Sequence, residues 1–207
     1  MNKYFLLAAL MTLLAGCSEQ GSPVQMPAKA PAAAAPAPTV DESALTAQAQ
    51  AAAQALGGAL KAELEAAMAT GGPVAAMSVC QIKAPKLAAA ISLEQGMTVR
   101  RVSLKNRNPV TGAPNPWETE VLNEFEARKA AGENPATLVY AKTVADEFRF
   151  MQAIPAATVC LTCHGTELSP AVAARLAELY PQDQATGYKE GDLRGAFVVV
   201  KNLRGQE

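Results

Sequence analysis

Cys160-Leu161-Thr162-Cys163-His164 constrains this chain more than any other stretch. Two cysteines separated by two residues and followed at once by histidine have the C-x-x-C-H form of c-type haem attachment. Thiols at this spacing reach the two vinyl groups on one edge of a porphyrin, while the adjacent imidazole reaches iron from one face. Other readings of the motif predict different surroundings. A thioredoxin-like redox pair sits at a helix start within a βαβ pattern, and no such pattern precedes Cys160. A structural zinc site needs four ligands and would have to recruit Cys80 beside Cys160, Cys163 and His164. A structural disulfide gives no reason for the chain's only histidine to follow directly. One covalent haem c is therefore the expected cofactor.

Haem is joined to c-type apoproteins outside the cytoplasm, so the N-terminus matters next. Lys3 is followed by an apolar run from Phe5 to Leu14 and then by Leu14-Ala15-Gly16-Cys17. The pattern resembles a lipoprotein signal peptide over residues 1–16, with Cys17 as the lipid-modified mature N-terminus. The apolar run is about half the roughly 20 residues that a membrane-spanning helix requires. Two or three acyl chains hold a protein stably on a membrane. The expected location is the periplasmic face of a bacterial membrane, and Ser18, in place of an Asp retention signal, leans toward the outer membrane. A net charge of -1 offers no basic field for nucleic acid.

Residues 17–40 are rich in Pro and Ala and read as a tether that cannot bury enough surface to fold. A single domain is expected over 41–207. Asp41 is a good cap for a helix carrying Leu45, Leu56, Leu60, Leu64 and Met68, which Gly71-Gly72-Pro73 should end. A short second helix should place Val74, Met77 and Cys80 on one face, and a third should run from Pro85 to Glu94 before Gly96. Thr98 to Leu104 alternates as a strand does, with Arg100, Val102 and Leu104 on one side and Val99, Arg101 and Ser103 on the other. Asn115-Pro116-Trp117-Glu118 predicts a helix start with a reciprocal cap, followed by Val121, Leu122 and Phe125 as its buried stripe. Ala136 to Thr143 and Glu147 to Ile154 are further strands, Pro170 to Tyr180 a helix, and Ala196 to Lys201 a strand buried on both faces. Trp117, Phe148 and Phe150 are expected in the core.

With Cys17 assigned to lipid and Cys160 and Cys163 to haem, Cys80 is left over. His164 being the single histidine, the sixth iron ligand must be Met, Cys, Lys, water or nothing. Cys80 reads either as a small buried hydrophobe or as a ligand, and an unpaired thiol in an oxidising compartment adds weight to the second without closing the first. Met77 and Met151 compete for the position.

The chain resembles the Tll0287-like family of haem-binding domains. The resemblance rests on Cys80 with Ala84-Pro85, Arg101-Val102-Ser103-Leu104 with Arg107-Asn108-Pro109, Trp117-Glu118, the haem motif with Gly165, and Gly187-Tyr188, Gly191-Asp192 and Gly195-Ala196. The loop from Val110 to Asn115 departs from the family pattern. The resemblance implies an α+β fold with a PAS-like antiparallel sheet behind N-terminal helices, and an iron held by His164 and Cys80. Arg107, Arg101 and Arg100 are candidates for pairing with haem propionates, because guanidinium groups bind carboxylates bidentately. No nucleophile or carboxylate pair stands beside the motif, so an enzyme is not expected. The two remaining functions are haem-based redox or gas sensing, toward which a PAS-like fold points, and one-electron transfer. With no output domain read through Glu207, a separate redox or signalling partner protein is expected.

Overall fold

In the computed structural model, residues 41–204 are described. The signal peptide, the lipidation site Cys17 and the whole of the tether lie outside them. Asp41 opens the first helix as expected, its carboxylate accepting from the backbone N–H groups of Ser43 at 3.0 Å and Ala44 at 3.1 Å. Helix α1 covers Glu42–Ser78. Gly71-Gly72-Pro73 kinks this helix without ending it. Gly72 alone leaves helical geometry, at φ 67° and ψ -169°, a conformation that glycine adopts at little steric cost. Pro73 then restarts the helix where a missing N–H costs nothing. The expected second helix is thus the end of α1, and its shared face does not form: Met77 is buried while Val74 is exposed.

A widened turn, Val79–Lys83, follows with π-type hydrogen bonding and carries Cys80. Such turns insert one residue into the helical register and occur often at functional sites. Helix α2, Ala84–Gln95, ends where Gly96 adopts the left-handed conformation at φ 61°.

The sheet is antiparallel throughout, in the order β1-β4-β3-β2. Its strands are β1, Thr98–Val102; β2, Val139–Val144; β3, Glu147–Pro155; and β4, Leu193–Asn202. Strand β1 stops short of Leu104 because the Ser103 N–H turns to the Gly112 carbonyl at 3.0 Å. Strand β2 begins later than predicted because the Asn134 side chain accepts from the Ala136 N–H at 3.0 Å and holds a tight turn over Pro135–Thr137.

Alternation divides the core between the two sheet faces. Leu56 of α1 and Ile91 of α2 pack on Val99, Phe148, Phe150 and Val199. On the opposite face, Val121, Leu122 and Phe125 pack on Val102, Met151 and Val198. Val198 and Val199 thus face opposite ways along a central strand, as its nearly all-apolar sequence requires. A short helix α3, Pro109–Gly112, precedes α4, Pro116–Ala130. Asn115 and Glu118 cap α4 reciprocally, at 3.1 and 2.9 Å. After β3, a tight turn over Thr158–Cys160 leads into one α-turn, α5, Leu161–His164. Helix α6, Pro170–Leu179, is capped by Ser169. The described residues form a single α+β domain.

Candidate functional site

A cavity of about 610 Å³ opens on the α1/α2 side of the sheet, within the roughly 300–1,000 Å³ range of cofactor pockets. Its wall brings together Cys80 from the widened turn, Arg101 from β1, His164 from α5 and Arg194 from β4. These four come from parts of the chain that only the tertiary fold unites. Cys163 lies on α5 with His164, and Cys160 ends the tight turn just before it, both outside the wall itself. Both thiols are free, as is Cys80, and Cys163 packs against the cluster of Met77, Val172 and Leu176. Burial pushes the Cys163 thiol above its ordinary value, although Arg107 opposes the shift.

The imidazole is held in one orientation. His164 Nδ1 lies 2.6 Å from the Ala185 carbonyl, which can only accept, so Nδ1 carries the proton and Nε2 presents its lone pair. Burial and then the positive charges of Arg194 and Arg107 push the imidazole down to about 2, against the opposing pull of the Ala185 hydrogen bond. It is therefore neutral at physiological pH, the form that binds a metal. Tyr188 stands edge-on to the ring, with centroids 6.3 Å apart.

Arg107 secures this arrangement from behind. Its Nη2 donates to the carbonyls of Cys163 at 2.6 Å and Ala185 at 3.2 Å, and its Nε donates to Asp183 at 3.1 Å. Asp183 in turn accepts from the Ala185 N–H at 2.7 Å. One guanidinium thus ties the motif's backbone to the carbonyl that orients its histidine. Gly165 lets the chain leave the turn, since a Cβ there would come within 2.6 Å of the Leu161 carbonyl oxygen. Beyond it, Gly187 and Tyr188 donate to the Gly165 and His164 carbonyls, each at 2.9 Å.

The arginines expected to meet propionates separate into two groups. All three border the cavity, but Arg100 sends its guanidinium to the α4 side, where its Nη2 donates to both Glu118 oxygens at 2.6 and 2.5 Å. Strand alternation predicted the opposite sides of Arg100 and Arg101, but not this partner. Arg107 is committed to Asp183 and two carbonyls. Arg101 faces the cavity. The alternative iron ligand Met151 is fully buried in the α4-side core, and Met77 is packed against α6. Among the described residues, no three His, Cys, Asp or Glu side chains gather as a metal-ion cage, so the zinc arrangement of Cys80, Cys160, Cys163 and His164 does not form.

A model of the Tll0287-like family matches residues 34–201. This chain belongs to the Tll0287-like family. Among solved structures, it is similar to the cyanobacterial heme-protein Tll0287, with a TM-score of 0.57 and 24% identity over 80% of this chain and 96% of that one. At that identity the likeness speaks for the fold. No curated protein matches. The residue of this Tll0287-like chain that sequence reasoning missed is Arg194. Its signal was indirect: it stands between Gly191-Asp192 and Gly195-Ala196, two pairs already noted in the family pattern.

Proposed function

We propose that this chain is a membrane-tethered c-type haem protein with a PAS-like domain, acting in haem-based redox or gas sensing and not as an enzyme. Cys160 and Cys163 would form the thioether links, and His164 through Nε2 and Cys80 through its sulfur would hold the iron. When bound, haem supplies a one-electron redox couple and an iron site for small ligands. The observation that carries the reading is the His164 imidazole, neutral, locked through Nδ1 to Ala185 and presenting Nε2 in a cavity that Cys80 also lines. The donor set fits the group: the outer hydrogen bond fixes ring and tautomer, as metal-binding histidines require. Cys17 anchors the protein through lipid to the periplasmic face of a bacterial membrane, where a redox or signalling protein is its partner.

Sensing is favoured over simple electron transfer by the element that carries Cys80. The widened turn Val79–Lys83 joins two helices beyond the Gly72 kink. A ligand on so irregular a segment lets release of Cys80 shift the packing of α2 on the sheet, the kind of two-state element a sensor requires. Reduced-minus-oxidised spectra with carbon monoxide titration of the full-length protein test this. Ready displacement of a protein ligand supports sensing. A six-coordinate iron that resists carbon monoxide and exchanges electrons quickly assigns the protein to electron transfer.

A further inference from the structure

A bulge decides where Arg194 points. Strands β3 and β4 keep register from Glu147↔Asn202 to Ile154↔Gly195 and then skip to Pro155↔Leu193, leaving Arg194 as the extra residue. Gly195 beside it has φ 141°, and a Cβ there would meet the Val102 carbonyl oxygen at 2.1 Å. This backbone is open only to glycine. Leu193 and Ala196 both pack into the α4-side core. Residues three apart on an unbroken strand would face opposite ways, so the bulge restores the pattern after re-aiming Arg194 into the cavity.

There it joins Arg101, which β1 delivers to the same wall. Both side chains are partly buried, and burial pushes each guanidinium below its ordinary value. The positive charge of Arg101 adds to the effect on Arg194. Among the described residues, neither guanidinium takes part in an ion pair or a side-chain hydrogen bond, whereas Arg100 and Arg107 are matched by Glu118 and Asp183. Two neighbouring, partly buried cations without an anion are unfavourable, because desolvation is left uncompensated and like charges repel.

We propose that Arg101 and Arg194 form a twin receptor for the two carboxylates of the bound porphyrin. The proposal rests on the haem reading and deepens it. The carboxylates lie on the porphyrin edge opposite the vinyl groups that the thiols take, so the arginine pair and Cys160 with Cys163 fix the same group from opposite ends. Planar guanidinium groups suit carboxylates, and two carboxylates cancel the charge of two arginines.

The test uses full-length Cys160→Ala/Cys163→Ala protein, which cannot attach the group covalently, titrated with hemin and with hemin dimethyl ester. Hemin should bind at least about tenfold more tightly than the ester, the value of one or more charge-assisted hydrogen bonds. Adding Arg101→Gln and Arg194→Gln should abolish the preference, and Arg101→Lys with Arg194→Lys should keep part of it. Equal binding of hemin and ester by the parent protein overturns the receptor and leaves the haem reading standing, without any arginine variant having to fold. A preference that survives the Gln pair and disappears in Arg107→Gln also overturns it. If neither porphyrin binds to folded protein and the wild type carries no haem, both readings fall together.

Discussion

Arg100 and Arg101 are neighbours in one strand and meet opposite fates. On the α4 face, Arg100 is matched to Glu118, whose carboxylate also closes the cap of α4. On the α1/α2 face, Arg101 looks into a cavity with Arg194 and finds no acid. The first face is finished: its polar groups have partners and its apolar groups are packed. The second holds a neutral imidazole with a free lone pair, a thiol and two unmatched cations. Polar groups buried without partners weaken a fold. Their concentration on one face marks that face as the place where something else completes the structure.

Breaking the finished face should cost the most stability and leave the site alone. Glu118→Ala strands Arg100 and removes half of the α4 cap. A loss of about 3 kcal/mol is expected, toward the low end for a broken buried pair because Arg100 is partly exposed. Denaturant unfolding measures it, and an unchanged haem spectrum shows that the effect is confined to that side.

Cys80→Ala acts on the other face. A thiolate donates more strongly than a thioether and stabilises ferric iron. The variant should keep its haem, bind carbon monoxide faster and raise the reduction potential by roughly 0.1 V or more, within the about 0.8 V that axial ligands span. An unchanged ferric spectrum and potential would remove Cys80 from the iron. Met77 would then be the next candidate, since Met151 belongs to the finished face.

Arg107→Gln sharpens the comparison, because this arginine borders the cavity yet is already paired with Asp183. Losing the Asp183 pair and the grip on Ala185 should cost about 1–2 kcal/mol. The His164 ring should also loosen, visible as a broadened or mixed iron spectrum. Removal of a metal ligand's outer hydrogen-bonding partner commonly weakens metal binding by about 10- to 100-fold.

The smallest effect concerns acid. The Lys129 ammonium and then the Lys189 N–H hold the Asp192 carboxyl below its ordinary value. A carboxylate depressed in the folded state stabilises above its unfolded value near 3.8, and that stability disappears as pH falls through the folded value. Asp192→Asn should therefore lower stability at neutral pH by roughly 0.3–0.5 kcal/mol, as befits a half-exposed pair, and leave it less sensitive to pH below about 4. Parallel acid melts of both proteins measure the difference.

Local chemistry was the legible part of this molecule. The Asn115-Pro116-Trp117-Glu118 cap, the Gly96 stop and the alternation that separates Arg100 from Arg101 are written within a few residues, and the fold carries each out. Gly71-Gly72-Pro73 misled because a single positive-φ glycine followed by proline suits a kink as well as an end, and packing of Met77 against α6 continues the helix. The pairs Arg100–Glu118 and Arg107–Asp183 join residues far apart in sequence, so no spacing rule announces them. Arg194 was least legible, since its direction depends on a register shift between β3 and β4 that neither strand reveals by itself.

The central claim is that the unfinished face holds one covalently attached haem. Mass spectrometry of full-length protein made with a c-type maturation system tests it most directly. The polypeptide should gain the mass of one haem, and Cys160→Ala/Cys163→Ala should lose that gain entirely while remaining folded. A wild-type polypeptide carrying no haem under those conditions, or carrying zinc in its place, would contradict the account.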